Sequence, residues 1–165
     1  MELFEDVIKV GIADMNIAKA PRKIRTTGLG SCVGLVIYDE KIKIVGLAHI
    51  MLPDSSLANK TSLNVAKYAD TAVKELIHRL KQNGGKAVRF KAKIAGGAEM
   101  FPTQNTSEMM RIGPRNVEAV RKHLKAFNIP VVGEDVGGSN GRTIEFDTNS
   151  LVLTIRTVNL GVKKI

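Results

Sequence analysis

The chain holds a single cysteine, no tryptophan and only 4% aromatic residues among its 165. One cysteine cannot form an internal disulfide, so nothing here is built for an oxidising compartment and the thiol is free to react. With so few aromatics there is little for nucleic-acid bases to stack on, and a single-strand binding platform is not expected. Long apolar runs are missing too. The longest near the middle, Ile44 to Leu52, contains His49 and is far too short to cross a bilayer, so no membrane insertion is expected. Met1-Glu2-Leu3-Phe4-Glu5-Asp6 carries acids where a secretory signal would carry bases, which points to a cytoplasmic location. Repeats, low-complexity tracts and Gly/Ser linkers are absent, so residues 1–165 are expected to form one domain.

Metal-ligand spacing is lacking as well. His78 lines up with Lys74, Glu75 and Lys81 on a polar helix face, and His123 lies beside Lys122. Neither is spaced to share a metal with the other or with Cys32, and no cofactor is called for.

What the chain does have is ordinary globular material, 44% hydrophobic and 25% charged, with a formal net charge of +9. The bases fall in several places (Lys19 to Arg25, Arg79 to Lys93, Arg111 to Lys125, Lys163-Lys164) rather than in one arginine-rich tract. Such a surface serves solubility, or it steers an acidic partner.

Two segments have helical periodicity. Val65, Ala69, Ala72, Val73, Leu76, Ile77 and Leu80 share one face, and Gly84-Gly85 supplies a stop. The second opens with Pro114 and places Val117, Val120, Leu124 and Phe127 on one stripe before Pro130. The remaining apolar material reads as β-branched runs: Val7 to Ile12, Val33 to Tyr38, Ile42 to Leu52, Ala87 to Ala95, Val131 to Val136, Thr143 to Phe146 and Leu151 to Thr157. A hairpin is expected around Asp39-Glu40. The class is α+β: a mixed, largely antiparallel β core with two main amphipathic helices packed on it.

Chemistry concentrates in Thr26-Thr27-Gly28-Leu29-Gly30-Ser31-Cys32-Val33-Gly34. Glycines around the cysteine allow a tight loop that exposes sulfur beside inward-pointing N–H groups, the material of an oxyanion hole. The spacing is not G-x-G-x-x-G and a strand follows, so a dinucleotide site is not supported. Cys32 has a plainer reading as a small buried residue opening a core strand. His49, inside the apolar Gly46 to Leu52 run, is either a satisfied core histidine or a base brought to Cys32 by the hairpin. If Cys32 is catalytic, its apparent pKa should lie below that of a free thiol. Ile94 to Phe101 is either a strand ending in a turn or a frame for a substrate cleft through Gly96, Gly97, Met100 and Phe101.

These residues stand in strings that closely resemble the CheD family, the chemoreceptor glutamine deamidases of bacterial chemotaxis. The strings are T-T-G-L-G-S-C-V, A-H-I-M-L-P-D, K-Y-A-D-T-A-V, A-K-I-A-G-G-A-E-M-F, I-G-P-R-N-V-E-A-V and G-E-D-V-G-G, in order from Thr26 to Phe146. The resemblance implies a nucleophile at Cys32, a base at His49 and an orienting threonine at Thr26; the chemistry then asks for oxyanion donors, expected from the oxyanion and substrate loop of Gly28, Gly30 and Ser31. It implies a protein-glutamine deamidase acting through a Cys-His thioester on chemoreceptor cytoplasmic domains, with glutamate methylesterase action a close chemical variant. It further implies a CheC-type phosphatase as partner and an α/β sandwich similar to cysteine-dependent deamidating toxin domains. A non-catalytic adaptor binding the same receptors and phosphatase is the alternative, and it would not need the thiol.

Overall fold

Apolar runs that never alternate become the middle layer of the protein. The computed structural model describes residues 6–56, 58–100 and 111–165, and these form two five-stranded sheets with two α-helices. The first sheet has the order β1 (Val7–Val10), β3 (Lys23–Leu29), β8 (Arg142–Asp147), β9 (Leu153–Thr157) and β10 (Gly161–Lys164). The second has β2 (Met15–Lys19), β5 (Ile44–Ile50), β4 (Val33–Asp39), β6 (Phe90–Gly96) and β7 (Val131–Val136). Strand β1 runs parallel to β3 and β7 parallel to β6, while the other neighbours are antiparallel.

Helices α1 (Ala69–Gln82) and α2 (Ile112–Ala126) cover the outer face of the second sheet. Leu76 and Leu80 of α1 and Val117, Val120 and Leu124 of α2 share one core with Val33, Leu35, Ile37 and Ile94. The opposite faces of the same strands, through Val36, Tyr38, Val45 and Leu47, meet Ile24, Leu29, Ile144 and Phe146 of the first sheet. The layers therefore run helix, sheet, sheet, an α+β sandwich with a mixed, largely antiparallel β core. Coverage on both sides buries every residue of β4 and β5, which is why neither alternates. No helix among the described residues is long and apolar enough to cross a membrane.

Two local expectations are corrected. Phe127, placed on the buried stripe of the second helix, caps that helix and is 44% exposed, because α2 ends at Ala126 and Ile129 takes the core position instead. The hairpin between β4 and β5 forms, but its turn lies later than Asp39-Glu40: Asp39 ends β4, paired with Ile44.

Asp39 has a reason to be there. Its buried carboxylate accepts from Arg89 Nε at 2.8 and 3.0 Å and from the Lys41 and Lys86 N–H groups at 3.0 Å, tying the hairpin end to the start of β6. Burial pushes its pKa up, yet the Arg89 guanidinium and the two N–H groups overcome this and hold it below the usual carboxylate range. Asp39→Ala is expected to cost about 3 kcal/mol by stranding those donors. For a chain of this size that corresponds to roughly 10 °C in melting temperature, readable by calorimetry. A drop of a degree or two would show that the network is dispensable.

Candidate active site

Register decides which side chains meet. Strands β4 and β5 pair so that Gly34 lies opposite His49 and Val33 opposite Ile50. Side chains alternate along a strand, so Cys32, two residues before Gly34, shares the face of His49. That face looks into the space between the sheets, where Cys32 packs against the inter-sheet core. From the opposing sheet, Thr26 on β3 closes on the ring, with Oγ1 2.7 Å from His49 Nδ1. Thr26 and His49 are both buried, whereas Cys32 is half-buried.

The hydroxyl settles the tautomer. Thr26 Oγ1 is also 2.8 Å from the Val10 carbonyl oxygen, which can only accept. The one hydroxyl proton therefore goes to Val10, and Oγ1 accepts from His49 Nδ1–H. The imidazole lone pair is left on Nε2, which is buried and has no hydrogen-bond partner among the described residues. Burial pushes the His49 pKa down, so the ring is neutral at physiological pH.

Burial pushes the Cys32 thiol up rather than down, against the expectation of an acidified sulfur. No cation offsets the desolvation, so the resting pair is thiol and neutral imidazole, not thiolate and imidazolium.

The loop before Cys32 is held carbonyl by carbonyl. Gly28 takes φ +74°, open to glycine, inside β3 where its register on β8 shifts between Thr26 and Leu29. Gly30 O accepts from Ala98 N–H at 2.9 Å and Cys32 O from Gly97 N–H at 2.8 Å. Ser31 O accepts from the side-chain nitrogen of Asn116 at 2.9 Å. Of the residues anticipated around a cleft, Gly96 and Gly97 thus pack directly on Cys32, and Met100 lies over Gly30, its sulfur 3.4 Å from where a Cβ there would be. Phe101 lies outside the described residues. A cavity of about 270 Å³ opens beside Thr26, lined by Lys9, Val10, Arg25, Thr26 and Thr27.

Gly96 has φ +107°, and a Cβ there would collide with the Cys32 carbonyl oxygen. Gly96→Ala is expected to lower stability by about 2 kcal/mol or more and to slow Cys32 chemistry, because strain and collision both fall on the loop that carries the sulfur. Thermal melts and thiol alkylation rates read the two effects separately; unchanged alkylation would show that the loop absorbs the insertion.

Asn116 was not singled out from the sequence. It is fully buried on α2 and bridges Ser31 O and Met51 O, each at 2.9 Å. The signal was an amide beside Val117 and Val120 on the apolar stripe, a place where a polar side chain needs partners.

Comparison with known proteins now bears on this arrangement. Residues 51–157 match the family described as CheD chemotactic sensory transduction. A Bacillus licheniformis protein named chemoreceptor glutamine deamidase CheD is 56% identical over 165 residues, covering 100% of this chain and 98% of that one. A protein of the same name from Halalkalibacterium halodurans is 57% identical over 97% of this chain and 99% of its own. Another, from Bacillus subtilis, is 57% identical over 96% of each. Identity at this level over whole chains is membership, not partial likeness: the chain belongs to the CheD family.

Proposed function

We propose that this chain is a cytoplasmic protein-glutamine deamidase that converts specific glutamine side chains of chemoreceptors to glutamate and ammonia, with Cys32 as nucleophile, His49 as base and Thr26 orienting the base. The observation that carries this reading is the Val10–Thr26–His49 relay, which leaves the Nε2 lone pair unspent on a residue whose strand face Cys32 shares. The relatives' names support the substrate class.

Chemistry follows from the resting pair. Nε2 takes the thiol proton as sulfur attacks the glutamine side-chain carbonyl, so the ion pair forms only as the carbon–sulfur bond does. The tetrahedral oxyanion is met by backbone N–H groups of the Gly28 to Cys32 loop, including that of Cys32, which has no acceptor among the described residues. The imidazolium returns its proton to the departing nitrogen, ammonia leaves, and a thioester remains. Water, losing a proton to His49 Nε2, attacks the thioester; the carbon–sulfur bond breaks, the imidazolium returns the proton to sulfur, and glutamate and the thiol are released. A glutamate methyl ester presents the same carbonyl with an alkoxide leaving group, so methylesterase action belongs to the same machinery.

A threonine hydroxyl fixes the ring but supplies no negative charge to the imidazolium. Thr26→Ala is therefore expected to lower kcat well short of the roughly 10⁴-fold loss that follows removal of an orienting carboxylate from a triad. Steady-state ammonia release measures it; a loss equal to that of Cys32→Ala would mean the threonine does more than orient.

The formal charge of +9, with Lys9 and Arg25 at the cavity beside Thr26, favours encounter with the acidic cytoplasmic helices of receptors. Family membership also implies a CheC-type phosphatase as partner. The test is ammonia release from a purified chemoreceptor cytoplasmic fragment, with mass spectrometry locating each glutamine that becomes glutamate. Binding of the fragment without any release would turn the reading to a non-catalytic adaptor.

A further inference from the structure

We infer that Asn116 is a positioning residue for the deamidation: it holds the Ser31–Cys32 peptide so that the Cys32 N–H is aimed at the oxyanion. The inference rests on the reading of Cys32 as the nucleophile.

The Asn116 amide sits against two carbonyl oxygens, Ser31 O and Met51 O, each 2.9 Å from Nδ2. Two acceptors admit only the nitrogen end, which spends both its hydrogens on them and fixes the amide orientation. Oδ1 is consequently left buried without a partner among the described residues. Packing alone does not account for an orphaned acceptor in a fully buried side chain, since an apolar group of the same size would fill the place without that penalty. The two bonds to carbonyls do account for it.

What they hold is the peptide that begins the catalytic residue. Ala20-Pro21 is the cis bond among the described residues, so the Ser31–Cys32 peptide is trans, and its C=O and N–H point in opposite directions. Asn116 draws Ser31 O toward α2, on the outer face of the second sheet. The Cys32 N–H is thereby turned toward the inner face, where His49 and Thr26 lie. The flanking carbonyls, Gly30 O and Cys32 O, are held by the backbone N–H groups of Ala98 and Gly97, which a side-chain substitution does not remove. Ser31 O is the one of the three held by a side chain. A peptide released at that point can rotate and present a carbonyl oxygen, instead of a donor, to the developing negative charge. The second bond, to Met51 O, anchors the same amide two residues beyond His49, so one side chain keys the nucleophile's peptide to the strand that carries the base.

The test compares the wild-type chain with Asn116→Ala and the similarly branched, apolar Asn116→Leu on a chemoreceptor cytoplasmic fragment. Three readouts separate a donor defect from general damage. The first is kcat and KM for ammonia release. The second is the rate of Cys32 alkylation by iodoacetamide, a displacement that generates no oxyanion. The third is the affinity of a peptide whose target glutamine is replaced by the corresponding side-chain aldehyde. There the thiol adds across the carbonyl, sulfur bonding to carbon and the proton passing to oxygen, and that oxygen occupies the oxyanion position. The expected result is a fall in kcat of about 10²-fold or more, with aldehyde affinity weakening in step. KM and alkylation should stay within about two-fold of wild type. Loss of alkylation in proportion to kcat, kcat close to wild type, or unfolding of both variants would each overturn the inference. Absence of ammonia release from the wild-type chain would instead remove the deamidase reading itself.

Discussion

Cys32→Ala is expected to abolish ammonia release from receptor fragments while leaving the fold intact, with a fall in kcat of at least about 10⁴-fold, the scale seen when a nucleophile is removed from an acyl-transfer site. Melting temperature should change little, since the side chain is only half-buried and is in no disulfide. Cys32→Ser should fare almost as badly. A hydroxyl is much harder to deprotonate than a thiol, and the neutral Thr26–His49 pair has no carboxylate behind it to stabilise the imidazolium. Residual turnover in the alanine variant above about 1% of wild type would mean that the nucleophile lies elsewhere.

The second large effect belongs to His49. Its replacement by glutamine keeps an amide able to bond Thr26 but removes the base, and a fall of about 10³-fold is expected from losing proton transfer together with thiol activation. The pH profiles carry the sharper statement. Burial lowers the His49 pKa, so the wild-type acid limb, where the base becomes protonated and activity is lost, should have its midpoint below the ordinary histidine value of about 6.5. The glutamine variant should instead gain rate as pH rises toward the elevated thiol pKa, where hydroxide does the deprotonation. Stability follows the same sign: the unfolded chain binds the His49 proton more tightly than the folded one, so stability declines as pH falls from about 6.5 toward the lower folded value. An acid midpoint above 6.5 would contradict a buried, neutral base.

The parts of the fold legible in the sequence were those where burial and periodicity agree. Helix α1 announced its apolar stripe and its Gly84-Gly85 stop, and β4 with β5 announced a hairpin. Strand β2 was passed over because it carries Asn16 and Lys19, and β10 because every residue is exposed on a sheet edge. Strand β3 is absent from the β-branched runs, since its inward positions include Thr26, a polar residue whose partners are 16 and 23 positions away. The same long range hides the site. Cys32 and His49 stood out chemically, but only the register of β4 on β5 puts them on one face, and only sheet packing brings Thr26 to the ring. The direction of the thiol pKa was not legible at all, because desolvation depends on neighbours the chain supplies from both sheets.

Base and threonine therefore sit on different sheets, and the chain passes between those sheets repeatedly: β1 and β3 belong to one, β2 and β4 to the other. Pairings of this kind join residues far apart in sequence and form late. On the proposed mechanism, a molecule with only one sheet assembled carries the sulfur beside an imidazole that Thr26 does not hold, and is expected to turn over more slowly. The full rate is therefore expected only with the last closure of the sandwich, when the strands that carry Thr26 and His49 have met.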